Sequence, residues 1–199
     1  KVMIYRLPNV FGKWGKPDYN SVIATFCYHV GRGEAITINN PDAELNLVYI
    51  DDVVNTMIEA MEQRKAGEIQ PVYQKKLGEI ATLIQSFPKM RNTLEVPMLS
   101  DEFEKKLYST YLSYLPEDAF SYPLTMHTDQ RGSFTEFIRT PERGQVSINV
   151  SKPGIVKGNH WHHTKNEKFL VVKGQGLIQF RQIGSEEIFE YQVSGDKLE

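Results

Sequence analysis

The sequence predicts an α/β lobe followed by an all-β domain. The first observation is that apolar runs of strand length alternate with helical periodicity up to residue 118. The second is that short strands separated by turn clusters follow at regular spacing from residue 119 onwards. The third is size, since 199 residues, 40% of them hydrophobic, are enough for two small cores. We therefore expect two domains, residues 1–118 and 119–199.

Composition narrows the class of protein. The net charge is −2 and the isoelectric point about 6.3, which is not the balance of a nucleic-acid-binding surface. No apolar run approaches the roughly 18 residues that a membrane span needs, and the N-terminus lacks a signal-peptide pattern. The single cysteine, Cys27, fits a reducing compartment. These features predict a cytoplasmic protein with no nucleic-acid or membrane partner.

The first elements are those of a parallel sheet with helices. Residues 2–7 have the composition of a buried parallel strand. Because such a strand needs partners on both sides, we expect the sequence to begin within a domain. After a loop rich in proline and glycine, Asp18 can cap a helix over residues 19–30. Short strands are predicted at 35–38 and 45–50.

Three further helices are predicted, each from an apolar stripe at helical spacing. The first is capped by Asp51 or Asp52 and ended by Gly67, the second covers 77–87 and ends at Pro88, and the third is capped by Ser100. Leu115 and Pro116 stop the third helix, and the composition then changes to that of strands.

The all-β domain is predicted from its strands and turns. Strands are expected at 145–150, 167–172, 176–181 and 187–193, with turn clusters that include 129–132 and 141–144. The apolar run 169–172 should be buried. Regular spacing of this kind favours a sandwich or a barrel.

Candidate metal ligands cluster in residues 160–167. Because side chains alternate along an extended chain, His160 and His162 should point to one side and His163 to the other. Glu167 follows a polar turn and can fold back beside the first two. Two imidazoles and one carboxylate suit a divalent metal with coordination positions left open. The histidines outside this cluster, His29 and His127, have no predicted partner.

Two motifs resemble the extended short-chain dehydrogenases/reductases, a group of nucleotide-sugar epimerases and reductases. They are Arg-Leu-Pro-Asn-Val-Phe-Gly at 6–12 and Leu-Val-Tyr-Ile-Asp-Asp-Val-Val at 47–54. The resemblance implies a partial Rossmann-like fold, the C-terminal lobe of such a reductase. It also implies that Pro8 lies near the nicotinamide of a cofactor and that Asn9 faces a sugar nucleotide.

Two parts of that family's active site are not in the sequence. They are the glycine-rich phosphate loop and the catalytic Tyr-x-x-x-Lys, which in the family lie upstream of the position of Lys1. We therefore expect this chain alone to lack reductase activity.

The second domain resembles the cupins. Gly154, His160, His162, Glu167 and Gly174 have the spacing of the first cupin motif, in which the two histidines and the glutamate bind a metal. The resemblance implies a cupin barrel. A further histidine from the second cupin motif would follow Glu199, so we expect the barrel to be incomplete.

A further similarity within the cupins is to deoxysugar-nucleotide epimerases. It is carried by Asp-Gln-Arg-Gly-Ser-Phe-Thr-Glu-Phe at 129–137 and by Lys157 and Gly158 before His160. The resemblance implies that Arg131 and Lys157 contact a diphosphate. Those epimerases use the histidine as general base and no metal, so His160 has two candidate roles, metal ligand and base.

The fusion of these two domains resembles bifunctional enzymes of capsular polysaccharide biosynthesis. That family implies a UDP-sugar substrate, epimerisation of a 4-keto-6-deoxy-N-acetylhexosamine in a zinc-binding cupin domain, and reduction of its ketone with NADPH. The product of these two reactions leads towards UDP-N-acetyl-L-fucosamine. We also expect a homodimer, which strand exchange could form. The alternatives are a metal-dependent cupin dioxygenase or isomerase, and a non-catalytic module for sugar-nucleotide binding and dimerisation.

Overall fold

The computed structural model of the chain describes residues 2–65, 67–140 and 144–198. It forms two compact units, Lys1–Ile155 and Val156–Glu199. In the first unit the described residues form a mixed three-stranded sheet, four α-helices and a second, antiparallel sheet. In the second unit they form a β-hairpin. The division into domains at residue 119 stays a prediction.

Strand β2 (Glu44–Tyr49) is the centre of the first sheet. It pairs in parallel with β1 (Asn9–Phe11) and antiparallel with β3 (Tyr73–Lys76), so that Leu47 has a partner on either side. Leu47 and the next two residues of β2 are all buried, because both faces of the strand are covered there. The strand predicted at 45–50 is confirmed to within one residue at each end.

Two of the strands predicted in the α/β lobe do not form. Residues 2–7 lie in no strand, and Val2 and Ile4 are 86% and 84% exposed, so the prediction of a buried strand there is wrong. Residues 35–38 also lie in no strand. An apolar run becomes a strand only where a neighbour offers backbone partners, and β2 already has β1 on one side and β3 on the other.

The described part of this unit has four helices, three of which form its helical core. The helices are α1 (Val22–Gly31), α2 (Ile50–Gln63), α3 (Leu77–Thr93) and α4 (Glu102–Leu112), followed by a 3₁₀ turn at Glu117–Ala119. Ile23 and Cys27 of α1, Ile84 of α3 and Leu107 of α4 are fully buried and belong to one cluster. Since a buried large apolar side chain contributes about 1.5–3 kcal/mol, this cluster is a major source of stability. No helix among the described residues has the length and apolar character of a membrane span.

Two helix caps differ from those predicted. Ser21, not Asp18, caps α1, and its hydroxyl accepts the backbone N–H of Ala24 at 3.3 Å. Asp101, not Ser100, caps α4 by accepting the N–H of Glu104 at 2.9 Å. Each cap lies directly before the first turn, the one position from which a short side chain reaches the third amide of the helix.

Helix α2 also begins and ends elsewhere than expected. Its cap position is Tyr49, and Asp51 and Asp52 lie inside the first turn, so the prediction that either caps the helix is wrong. Their charges there still favour the positive end of the helix dipole. The helix ends at Gln63, before the predicted stop at Gly67, and Arg64 caps it in a left-handed conformation with φ 53°.

Helix α3 continues through Pro88, so the prediction that it ends there is wrong. Proline removes one backbone hydrogen bond from a helix interior. On either side of it, Phe87 is fully buried and Met90 packs against the core. Packing of this face therefore outweighs the local preference of proline to end a helix.

The β-rich part of the chain consists of two separate sheets. Strands β4 (Met126–Asp129), β5 (Gly132–Thr140) and β6 (Gly144–Ser151) form an antiparallel sheet in the first unit. The N–H of Arg139 in β5 donates to the carbonyl of Leu94 at 2.7 Å, which ties this sheet to the end of α3. Strands β7 (Gln175–Arg181) and β8 (Ile188–Ser194) form the hairpin of the second unit. The strands predicted at 145–150, 176–181 and 187–193 are confirmed.

The described strands do not close into a barrel. The strand predicted at 167–172 is absent, and Phe169, Leu170 and Val172 are 58%, 57% and 71% exposed rather than buried. This apolar run has no strand beside it in the described residues, so its backbone stays outside any sheet. The turn predicted at 141–144 falls mainly on residues 141–143, which lie outside the described residues.

Lys106 joins three elements of the first unit. Its ammonium, on α4, lies 2.8 Å from the carboxylate of Asp52 on α2 and 3.1 Å from the hydroxyl of Tyr73 on β3. Lys106 and Asp52 are only 17% and 18% exposed. Burial lowers the pKa of Lys106, but the hydrogen bonds to Asp52 and Tyr73 outweigh it, so that the net pKa is raised and the amine stays charged.

Replacing Lys106 with methionine should lower the free energy of unfolding by about 1–3 kcal/mol, because Asp52 would remain half-buried without its cation. The matched control is Lys105→Met on the same helix. That lysine pairs with Glu102 at 3.3 Å, and both side chains are more than half exposed, so the loss should stay below about 1 kcal/mol. Urea unfolding of the two variants measures the difference, and equal losses would contradict the structural role of Lys106.

Candidate functional site

His160, His162 and Glu167 come together in the second unit. One ligand atom from each lies within 4.8 Å of those of the other two. The rings of His160 and His162 are 4.9 Å apart, and His162 Nε2 lies 3.9 Å from Glu167 Oε2. The structure thus brings together the three residues that the sequence predicts as metal ligands.

The local backbone explains how the two histidines meet. Gly158 and Asn159 both have positive φ, 99° and 57°, a conformation that glycine and asparagine tolerate best, and they turn the chain into the His160–His163 segment. Beyond this turn the side chains alternate. His160 contacts His162, whereas Trp161 contacts His163 with ring centroids 4.3 Å apart. The predicted opposite direction of His163 agrees with these contacts.

Glu167 is held by a lysine as well as facing the histidines. Lys165 donates to Glu167 Oε1, whereas the other oxygen, Oε2, is the one nearer to His162. The hydrogen bond from Lys165 is the main cause that lowers the pKa of the Glu167 carboxyl, with smaller contributions from the charges of Lys165, His162 and His160. Glu167 is therefore ionised at neutral pH with one oxygen directed at the imidazoles.

This donor set fits a divalent metal. Two ligand atoms that share a tetrahedral zinc, at about 2.1 Å each, lie about 3.4 Å apart, so separations of up to 4.8 Å require only small side-chain rotations. All three residues are exposed. Coordination positions would consequently remain open to water or to substrate oxygens, as in catalytic rather than structural zinc sites.

The two predicted phosphate ligands are both on the surface. Arg131 lies in the turn between β4 and β5, where its guanidinium Nε and Nη2 donate to Asp129 Oδ2 at 2.9 and 2.7 Å. That pair raises the pKa of Arg131 through the hydrogen bond and the charge of Asp129. A guanidinium has five donors, so Arg131 can bind an anion while it keeps Asp129. Lys157 is exposed.

A separate cleft of about 250 Å³ lies in the first unit at the start of α1. Its walls come from β1, β2 and the residues that enter α1: Asn9, Val10, Phe11, Asn20, Ser21, Val22, Ile23, Leu45 and Leu47. The carboxamide nitrogen of Asn9 donates to the carbonyl of Asn46 at 3.4 Å, so its oxygen is the atom that it can offer to a ligand. The half-buried Pro8 directly precedes this strand.

Two features around α1 differ from what the sequence predicts. Asn20 and Ser21 precede the helix and line the cleft, whereas the sequence predicts a helix from residue 19. His29 has two partners, Asp18 and Glu34, where none was predicted. The spacing of Thr25 and His29, one helical turn apart, was the available signal, because residues four apart lie on the same helix face.

Two protein families match the chain, one at each end. Residues 1–74 match the NAD dependent epimerase/dehydratase family. Residues 127–199 match the polysaccharide biosynthesis C-terminal domain. The first match covers β1, β2 and the cleft, and the second covers β5–β8, most of β4 and the His160, His162 and Glu167 cluster.

Individual relatives match over almost the whole chain. The chain is 45% identical over 202 residues to a UDP-2-acetamido-2,6-beta-L-arabino-hexul-4-ose reductase of Pseudomonas aeruginosa, in an alignment that covers 100% of this chain and 54% of that protein. CapF from Staphylococcus aureus is 58% identical, with a TM-score of 0.95 over 98% of this chain and 55% of its own. A structure of CapF with the inhibitor 3-isopropenyl-tropolone is also 58% identical, with a TM-score of 0.94, and 58% of it is covered. The chain therefore spans about half the length of these relatives, and the resemblance to capsular polysaccharide enzymes is confirmed.

Substitution of His160, His162 or Glu167 by alanine should weaken zinc binding at least about tenfold, because each removes one of the three candidate ligands. Titration calorimetry of the metal-stripped protein with zinc measures the affinity. His163→Ala is the matched control, since His163 contacts Trp161 on the other side of the segment. Zinc binding that survives unchanged in all three variants would place the metal elsewhere.

Proposed function

The chain resembles CapF-type capsular polysaccharide enzymes, and on that basis we propose that its protein is a bifunctional nucleotide-sugar enzyme. The substrate is a UDP-linked 4-keto-6-deoxy-N-acetylhexosamine. The protein epimerises this sugar beside its ketone and then reduces the ketone with NADPH. The product leads towards UDP-N-acetyl-L-fucosamine for capsule synthesis.

The observation that carries the proposal is the His160, His162 and Glu167 cluster. It occurs in a chain that is 45% identical to a UDP-sugar reductase, an activity that needs no such cluster. The cluster is explained if the protein carries out a second reaction in addition to the reduction. Epimerisation next to a ketone is that reaction, because it needs a group that stabilises a developing oxyanion and a group that moves a proton.

The roles of the three residues follow from their geometry. A divalent cation, for which we propose zinc, would supply the positive charge that stabilises the enediolate formed when a proton leaves the carbon beside the ketone. His160, His162 and the Oε2 atom of Glu167 would hold it. Lys165 keeps the other oxygen of Glu167 occupied and so presents Oε2 towards the imidazoles. In the alternative role, His160 takes the proton itself.

Binding of the nucleotide part is assigned to three further residues. Arg131 and Lys157 would bind the diphosphate, since a guanidinium and an ammonium both match phosphate oxygens. Asn9 would contact the sugar nucleotide through its carboxamide oxygen in the cleft of the first unit. Pro8, which precedes Asn9, would lie beside the nicotinamide. The match of residues 1–74 to an NAD-dependent family supports a nicotinamide cofactor, and NADPH is the form that we propose.

We also propose that the protein is a homodimer. Strand β6 has no partner beyond β5 among the described residues, and its apolar side chains Val146, Ile148 and Val150 are 56%, 52% and 57% exposed. Such an edge can pair with a second copy, including by exchange of strands. Sedimentation analysis measures the oligomeric state, and a monomer at micromolar concentration would contradict this part of the proposal.

Exchange of the proton beside the ketone tests the epimerase role. With the UDP-4-keto sugar in D₂O, the wild-type protein loaded with zinc should incorporate deuterium at that carbon, as measured by NMR. His160→Ala and Glu167→Gln should each lower the rate at least about a hundredfold, since general acid–base catalysis and charge stabilisation are each worth about that much. His163→Ala should leave the rate unchanged.

Metal content separates the two roles of His160. A His160 variant that loses zinc together with exchange supports the ligand role, whereas one that keeps zinc and loses exchange supports the base. Binding of 3-isopropenyl-tropolone, measured in the same variants, provides a second readout, because a tropolone offers two adjacent oxygens to a divalent cation. Full exchange in every variant would rule out the cluster as the epimerisation site.

A further inference from the structure

His29 is clamped between two carboxylates at the end of α1. Its Nδ1 lies 2.5 Å from Glu34 Oε2, and its Nε2 lies 2.9 Å from Asp18 Oδ1. Glu34 follows α1 in the chain and Asp18 precedes it, so the imidazole connects the two loops at either end of the helix. The side chain of His29 is 27% exposed.

Both contacts can be hydrogen bonds only when the imidazole is charged. A neutral imidazole has one N–H, so one of its nitrogens would face a carboxylate without a proton between them. The hydrogen bond to Asp18, then that to Glu34, raises the pKa of His29, with smaller contributions from the two charges. Because the folded pKa is raised, the clamp is complete at low pH and loses one hydrogen bond as the pH rises through the folded pKa.

The charges that act on His29 come from these two loops. Neither of the helices packed against α1, which are α3 and α4, contributes a charge to the shift. On α1 itself the nearest groups are Tyr28, whose ring meets the imidazole edge to face, and Arg32, whose guanidinium lies 3.5 Å from the Tyr28 ring centroid.

The clamp positions the loop that joins β1 to α1. Asp18 has a left-handed conformation with φ 52°, which aspartate tolerates better than most residues because its short polar side chain can form local hydrogen bonds. Its N–H donates to the Thr25 hydroxyl at 2.9 Å, and that hydroxyl donates to the carbonyl of Ser21 at 3.0 Å. Thr25 and His29 therefore hold the backbone and the carboxylate of Asp18 from one face of α1.

The same loop forms a wall of the cleft. Asn20 and Ser21, two and three residues after Asp18, line it together with Asn9 of β1. A second anchor lies on the other side of the loop, where the Tyr114 hydroxyl donates to the carbonyl of Gly15 at 2.7 Å. Because Gly15 is held in this way, a shift of Asp18 would move Asn20 and Ser21, which line the cleft.

We propose that His29 is a positioning residue for ligand binding in this cleft, because its clamp on Asp18 and Glu34 sets the place of Asn20 and Ser21. The proposal rests on the assignment of the cleft to the UDP-sugar. Ligand affinity is then coupled to the charge of an imidazole that does not touch the ligand. Affinity falls as His29 loses its proton.

UDP binding to the protein, measured by titration calorimetry between pH 7 and 9, tests the proposal. This range lies above the terminal phosphate pKa of about 6, so UDP itself changes little in charge. The wild-type affinity should fall about fivefold or more across the range. His29→Gln, which is neutral and has one donor, should bind weakly at the lower pH and show no fall. The matched control is His127→Gln on the exposed strand β4, which should behave as the wild type.

Asp18→Asn provides a second variant, and its affinity should also be low and independent of pH. NMR titration of the His29 ring gives the folded pKa, with which the midpoint of the affinity change should coincide. Asn9→Ala, which alters the cleft itself, shows whether the measured UDP is bound there. An affinity that Asn9→Ala lowers but that is the same in wild type, His29→Gln and Asp18→Asn would overturn the positioning role while leaving the cleft as a UDP site. If the wild type bound no UDP at any pH, or if Asn9→Ala left its affinity unchanged, the assignment of the cleft would fail, and the positioning role with it.

Discussion

Backbone pairing of β2 on both of its sides is the constraint on which the first unit depends. Its parallel pairing with β1 places Asn9 at the wall of the cleft, and its antiparallel pairing with β3 places Tyr73 within reach of Lys106. The end of β2 leads directly into α2, which carries Asp52 to the same lysine. One strand therefore positions both the proposed ligand site and the two partners through which Lys106 joins α4 to the sheet and to α2.

The two candidate sites are built in different ways. The cleft in the first unit needs parts of the chain that are distant in sequence, since β1, β2 and the start of α1 all line it. The His160, His162 and Glu167 cluster needs only a single short segment, with a turn at Gly158 and Asn159 to begin it. Such a local cluster forms without a surrounding barrel, which explains how its residues meet although the described strands stay in separate sheets.

Near both candidate sites, a charged side chain fixes the position of a neighbouring group. Lys165 occupies one oxygen of Glu167 and leaves the other directed at the imidazoles. His29 holds Asp18 and Glu34 on either side of its ring and so connects the two ends of α1. Exposed pairs of this kind contribute little to stability. Their importance is that they orient a neighbouring group. A small free energy is enough to change such an orientation.

The sequence by itself determined the succession of an α/β part and a β-rich part, four of the strands, and the grouping of the three candidate metal ligands. Those features depend on residues close together in the chain, such as the alternation that puts His160 and His162 on one side. Only the tertiary structure decided which apolar runs became strands, since residues 2–7 and 167–172 have the right composition but no backbone partner. Likewise, α3 passes through Pro88 because its neighbouring residues pack in the core, and His29 acquires two partners because the loops at both ends of α1 return to it. Burial, backbone pairing and ion pairing between distant segments are properties of the folded chain, and no local pattern encodes them.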